Sequence, residues 1–333
     1  MTKIAVFGAG SWGTAFSLVL ADAGNQVTLW ARREELSEAI NSDHVNADYL
    51  PDLLLPTAIT ATHDPEEALA GAAVVVLAVP SQTLRRNLEV WAHAIPDSAL
   101  VMSLMKGVEL GTDKRMSEVI EEVTTIAPAR IAVLSGPNLS HEIARRQPAA
   151  SVIASSDEGT ARALQALCHS RAFRPYTLTD VIGCELGGAT KNVIALAVGM
   201  AIGLGFGDNS RATVITRGLA ETARLGVALG ADPMTFSGLA GLGDLVATCS
   251  SPLSRNRHFG ELLGQGQSVD EVVASTRQVA EGVKSAESIR DLAARHGVYA
   301  PIIDHVAALI RGETKPEEMV TGLLSRATKS ERD

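Results

Sequence analysis

Apolar and polar positions follow two different rhythms along this chain, and the change falls near residue 180. Before it, apolar runs of strand length at 3–7, 26–31, 58–61, 72–79, 99–104, 130–134, 149–154 and 173–178 alternate with helical periodicity. The helical stretches lie at 34–41, from 64 onward, and at 83–92, 113–124 and 158–169, while Tyr49-Leu50-Pro51 sits in a Pro-punctuated loop. The run 72–79 (AAVVVLAV) is apolar throughout, as expected of a strand covered on both faces. Such alternation predicts an α/β, doubly wound sheet. Beyond 180 the strand runs cease, and long helical stretches broken by Gly, Pro and Ser predict an all-helical second domain. The expected division is therefore 1–180, 181–328 and a disordered tail at 329–333.

Composition narrows the function class. A chain of 333 residues with 46% apolar and 20% charged residues has room for two buried cores. The longest apolar run, 193–206, is interrupted by glycines and too short to span a bilayer, so it reads as a buried helix. A net charge of −9 argues against nucleic acid or acidic membranes as partners, and an anionic ligand would need a local basic pocket. Three widely spaced cysteines and eight histidines show no metal-ligand spacing, which predicts no metal site and a reducing, cytoplasmic location.

The first strand runs into Gly8-Ala9-Gly10-Ser11-Trp12-Gly13, followed at once by a helical pattern. Gly8 permits the tight turn, Gly10 lets backbone approach a pyrophosphate, and Gly13 lets helix and strand pack closely. Free N–H groups at the helix start hold phosphates, so a dinucleotide cofactor in a Rossmann domain is expected. A signal peptide is excluded by the three glycines and by the second strand pattern that follows. At the end of that second strand, where an acidic residue binds the ribose of NAD, this chain has Arg32 and Arg33. Arginine suits a 2′-phosphate, which predicts NADPH as preferred cofactor with NADH as second choice; two solvated surface arginines are the alternative.

Further candidates lie past strand ends, where ligands bind in such sheets. Met105-Lys106-Gly107 places a lysine able to reach a phosphate or carbonyl oxygen, or simply water, and Ser135-Gly136-Pro137-Asn138 brings backbone near a ligand. In the helical half, Gly187 and Gly188 lie four and three residues before Lys191 on the same side of a helix. Two interior glycines cost about 1 kcal/mol each relative to alanine, so a close approach is expected there. Partial burial would lower the lysine's pKa and make it a proton donor; snorkelling from a core helix is the alternative. Asp244, in the stretch 238–245, is placed to accept hydrogen bonds from hydroxyls, or else to cap the next helix. Ser254-Arg255-Asn256-Arg257 combines a cap serine, helix-start amides and an arginine into a phosphate site.

Together GAGSWGTA, VPS, MKG, SGP, ELGGATKN, GLAGLGDL, SRNR and VAEGV resemble, in order and spacing, the bacterial-type NAD(P)-dependent glycerol-3-phosphate dehydrogenases, from residue 3 to about 312. The resemblance implies reversible reduction of dihydroxyacetone phosphate to sn-glycerol 3-phosphate for phospholipid synthesis. It implies Lys191 as proton acceptor and donor, with Lys106 helping to polarise the oxygen. Substrate contacts fall on Lys106, Gly136, Asn138, Lys191, Asp244, Ser254, Arg255 and Asn256. Cofactor contacts fall on Ser11, Trp12, Arg32, Arg33, Lys106, Ser140, Arg255, Val279 and Glu281, beside the turn glycines. At Asn138 and Ser140 the chain departs from the family's small hydroxyl residue and alanine, and Arg145-Arg146 replaces a small residue. Ser103-Leu104-Met105 is bulkier than usual and is expected to reshape the pocket floor. The alternatives are a β-hydroxyacid dehydrogenase, which shares this architecture, and a non-catalytic NADPH-binding sensor, and a homodimer is expected from the commonest symmetry.

Overall fold

A computed structural model describes residues 1–275 and 280–318. Its first half alternates strand and helix: β1 (Lys3–Phe7), α1 (Ser11–Asp22), β2 (Gln26–Trp30), α2 (Glu34–Asp43), β3 (Val45–Asn46), β4 (Leu50–Leu54), β5 (Ile59–Thr62), α3 (Pro65–Leu69) and β6 (Val74–Leu77). It continues through α4 (Leu84–Trp91), β7 (Leu100–Ser103), α5 (Met116–Val123), β8 (Ile131–Ser135), α6 (Ser140–Ala144), β9 (Ala149–Ala154), α7 (Glu158–Cys168) and β10 (Phe173–Leu178).

Eight of these strands form one sheet in the order β10-β9-β8-β7-β6-β1-β2-β5. Strands β5 to β8 with β1 and β2 run parallel, which the apolar runs predicted, whereas β9 pairs antiparallel with β8 and β10 follows β9 in parallel. The architecture is thus a Rossmann-like sheet extended at one edge. Cores lie on both faces: Val6, Phe16 and Leu29 contribute to one, and Phe7, Val75 and Trp91 to the other. That sandwiching is why β6 could be all apolar.

Two local expectations change. The loop around Tyr49-Leu50-Pro51 is instead the antiparallel pair β3–β4, anchored by fully buried Leu50. The helix expected from 113 starts at Met116, because Val108 and Arg115 pair across a tight loop and Asp113 takes a left-handed conformation.

After β10 the described residues are helical: α8 (Val181–Gly203), α9 (Asp208–Ala228), α10 (Asp244–Ser250), α11 (Arg255–Gly264), α12 (Val269–Ser275), α13 (Glu281–Arg295) and α14 (Pro301–Ile310). Asp180 caps α8 by accepting from the Gly183 N–H, and Glu221 of α9 caps α14 by accepting from Ile302 and Ile303. Burial pushes the Glu221 carboxyl up to about 7 against those backbone donors. Helix α8 is longer than the apolar run that announced it and has the length and hydropathy of a membrane span. It is instead the hub of the helical core, with 89% of its apolar window buried. Gly199 and Gly203 of α8 face the α11 backbone so closely that a Cβ at either would strike it, which explains how α11 lies against the hub.

Candidate active site

At the β1–α1 turn each glycine has a different reason. Gly8 has φ +120°, and a Cβ there would lie 2.6 Å from the Ala78 carbonyl oxygen; a Cβ at Gly13 would collide with the Gly8 carbonyl. Both are demanded by the fold itself. Gly10 is not: a Cβ there meets nothing within 4 Å. It caps α1 with no side-chain hydrogen bond, and the first turn carries no acidic residue. An open glycine at a positive helix start fits the diphosphate of a dinucleotide. Ser11 and Trp12 follow it, and the buried Trp12 Nε1 has no hydrogen-bond partner among the described residues. Arg32 and Arg33 are exposed beyond the end of β2, Arg33 paired with Asp48.

On the helical side the predicted candidates converge. Lys191 Nζ donates to Asp244 Oδ1 at 2.6 Å and to Thr248 Oγ1 at 2.7 Å. Lys106 Nζ donates to the other oxygen, Asp244 Oδ2, at 2.5 Å and to the Gly136 carbonyl at 3.0 Å. One carboxylate thus holds two ammonium groups, one from each side of the domain junction. Asp244 is 1% exposed and Lys191 9%. Burial lowers the Lys191 pKa to about 8; Asp244 opposes that shift and Lys106, a like charge, adds to it.

The glycines before Lys191 make this geometry attainable. A Cβ at Gly187 would collide with the Ala240 carbonyl, and one at Gly188 would come within 2.6 Å of Ser135 Oγ and 3.3 Å of Lys106 Cγ. Lys106 therefore lies along the bare face of α8. Asp244 is the first residue of α10, following a π-helical turn (Leu239–Gly243), and the N-cap is Gly243. The capping alternative for Asp244 is thereby replaced by its two lysine contacts.

A second layer joins the cluster to α11 and α13. Asn192 Nδ2 donates to the Lys106 carbonyl at 3.4 Å, and Asn256 Nδ2 donates to Asn192 Oδ1 at 2.9 Å. Asn256 Oδ1 in turn accepts from the Gly282 N–H at 2.9 Å. Ser254 caps α11, accepting from the Arg257 N–H at 3.2 Å, and exposed Arg255 begins that helix. Glu281 accepts from Ser81 Oγ at 2.9 Å, linking α13 to the end of β6.

Some predicted residues stand apart from the lysines. Asn138 accepts from Ser151 Oγ at 2.6 Å, and its buried Nδ2 has no partner among the described residues; Ser140 opens α6. Arg146 pairs with Asp22 at 2.7 Å at the far end of α1. Leu104 and Met105 do not form a pocket floor: each is buried in one of the two sheet cores, because successive residues leaving a strand point to opposite faces. Val279 lies outside the described residues, as does the 329–333 tail. Thr248, Asn192, Ser81 and Glu185 were not assigned roles from sequence. Thr248 was detectable, four residues after Asp244 on one helix face; the Ser81 contact spans 200 residues and leaves no local pattern.

Two family models match, described as the NAD-dependent glycerol-3-phosphate dehydrogenase N-terminus over residues 3–161 and C-terminus over residues 180–321. A protein of Streptomyces griseus subsp. griseus named glycerol-3-phosphate dehydrogenase (NAD(P)+) is 62% identical over 331 residues, covering 99% of this chain and 98% of that protein. One of the same name from Thermobifida fusca is 62% identical over 333 residues, covering 100% and 99%. The crystal structure of glycerol-3-phosphate dehydrogenase from Coxiella burnetii superposes with a TM-score of 0.93 at 36% identity, covering 98% of this chain and 99% of that one. With both halves matched and 62% identity to relatives over nearly its whole length, the chain belongs to the NAD-dependent glycerol-3-phosphate dehydrogenase family.

Proposed function

We propose that this chain catalyses the reversible NAD(P)H-dependent reduction of dihydroxyacetone phosphate to sn-glycerol 3-phosphate. The observation that carries the reading is the sharing of Asp244 by Lys106 and Lys191. Gly8, Gly10 and Gly13 shape the turn for the cofactor diphosphate, Ser11 and Trp12 flank it, and Arg32 and Arg33 favour the extra phosphate of NADPH. When bound, the nicotinamide supplies the hydride in reduction and accepts it in oxidation. In reduction, Lys191 Nζ gives its proton to the oxygen that becomes the hydroxyl, while the Lys106 cation stabilises the charge developing there. In oxidation, neutral Lys191 takes the hydroxyl proton. Asp244 keeps both amines in place, and Thr248 fixes the direction of the Lys191 head group.

The amide-rich start of α11, with Ser254, Arg255 and Asn256, is suited to the substrate phosphate, and Gly136 and Asn138 to its hydroxyl end. Held there, the phosphate orients the carbonyl. The same proposal includes division of the chain at 180/181, a homodimer, a cytoplasmic location and supply of phospholipid synthesis. The deciding measurement is NADPH oxidation with dihydroxyacetone phosphate. Turnover, with no reduction of NADP+ by small hydroxyacids, supports the reading; a folded, NADPH-bound protein that instead oxidises hydroxyacids with NADP+, or turns over nothing, overturns it.

A further inference from the structure

Glu185 takes no part in the chemistry described above, yet it is only 7% exposed and carries three close donors. Its carboxylate accepts from Arg115 Nη1 at 2.6 Å, from the Ser117 N–H at 2.8 Å and from Ser117 Oγ at 2.6 Å. All three donors belong to the start of α5, in the sheet domain, whereas Glu185 lies in the second turn of α8. Taking such a pair out of water costs several kcal/mol per ion, so a buried ion pair is a weak source of net stability. What this one does is join α8, which carries Lys191, to the start of α5, which follows the loop that carries Lys106.

On the sheet side, the loop after β7 is closed by pairing of Val108 with Arg115 and by the hydrogen bond from Glu109 N–H to the Lys114 carbonyl. Lys106 is two residues from the Val108 end of that closure. Gln82 and Ser288 both donate to the Val108 carbonyl at 2.8 Å, two residues beyond Lys106. On the other side, Glu185 precedes Lys191 by six residues of a continuous helix, about 9 Å along its axis. Gly188, between them, lies against the Lys106 stem.

We infer that Glu185 is a positioning residue: its carboxylate clasps the Lys106 loop to the Lys191 helix and so sets the separation at which the two ammonium groups share Asp244. The inference rests on the function proposed above. Its consequence can be read at Lys191, which faces Asp244, Thr248 and Cys249 from α10 and Lys106 from the loop. Releasing the clasp lets Lys106 withdraw and removes a like charge that holds the Lys191 pKa down. Loss of the Glu185 charge alone would act in the opposite direction, lowering a lysine's pKa. The direction of the shift therefore separates positioning from simple electrostatics.

The test compares wild type, Glu185→Gln and Ser117→Ala in NADPH-dependent reduction of dihydroxyacetone phosphate across pH. Glu185→Gln is expected to lower kcat by about 10- to 100-fold through misplacement, with KM for NADPH nearly unchanged. Its alkaline limb should move up from about 8 toward the ordinary lysine value of 10.5. Ser117→Ala, which keeps both charges, should shift the limb the same way by less, and it decides the matter if Glu185→Gln does not fold. A limb that stays put or moves down in the folded variants overturns the clasp, even if melting temperature falls. Wild type without turnover would instead remove the proposed function, and the clasp's catalytic role with it.

Discussion

The glycine turn and the lysine cluster are built in opposite ways. The turn is made by residues 8–13, and two of its three glycines answer to backbone contacts that exist without any ligand. The cluster draws Lys106, Gly136, Lys191 and Asp244 from four separate segments, with 138 residues between Lys106 and Asp244. In the turn, local geometry and ligand fit are nearly the same requirement. In the cluster, no single segment has any chemistry to show until two domains meet. The difference suggests that damage to the turn should appear as lost cofactor affinity, and damage to the cluster as lost turnover.

The largest expected effect falls on the cluster. Lys191→Ala should cost about 10²- to 10⁴-fold in kcat, the usual worth of a positioned proton donor, with NADPH binding by fluorescence titration retained. Equal loss of both would collapse the contrast between the two regions. Asp244→Asn removes the charge that raises the Lys191 pKa, so that pKa should fall further below about 8 and less of the amine should be protonated at a given pH. Because donation needs the protonated amine, wild-type reduction should fall as pH rises through about 8, while oxidation should rise through the same value. In Asp244→Asn both limbs should move to lower pH; an upward move would contradict the shared-carboxylate geometry.

Effects on the turn are smaller and differ among its glycines. Gly13→Ala forces a side chain into the Gly8 carbonyl and should lower stability by about 1–3 kcal/mol, as overpacking does, with weaker NADPH binding. Arg32→Ala with Arg33→Ala should cost NADPH roughly tenfold in affinity relative to NADH, the value of about one charge-assisted hydrogen bond. An unchanged ratio would return both arginines to the solvated surface. Gly10→Ala sharpens the comparison most, since open space surrounds that position. Its melting temperature should hold while NADPH affinity falls; loss of stability instead would show that the position serves the fold.

Much of this was legible in the chain. Strand β6 and the glycine turn could be read because burial on both faces and a tight turn each leave a continuous local mark. The bare face of α8 could be read because two glycines in a helix require compensation, and the compensation proved to be the Lys106 stem and the Ala240 backbone. The β3–β4 pair was hidden by Pro51 and by its brevity, and the reversed direction of β9 by the fact that buried parallel and antiparallel strands have the same apolar text.

What the sequence by itself determined was the alternation of elements, the change of rhythm near 180 and the residue types able to hold phosphate or move a proton. Only the tertiary structure decided that Asp244 bridges both lysines rather than capping α10, that Leu104 and Met105 belong to the sheet cores, and that Glu185 ties α8 to α5. The physical reason is range. Periodicity and turn chemistry act over a few residues, whereas a buried charge is stable only where a partner arrives from elsewhere in the chain, and that meeting exists only once both domains have packed.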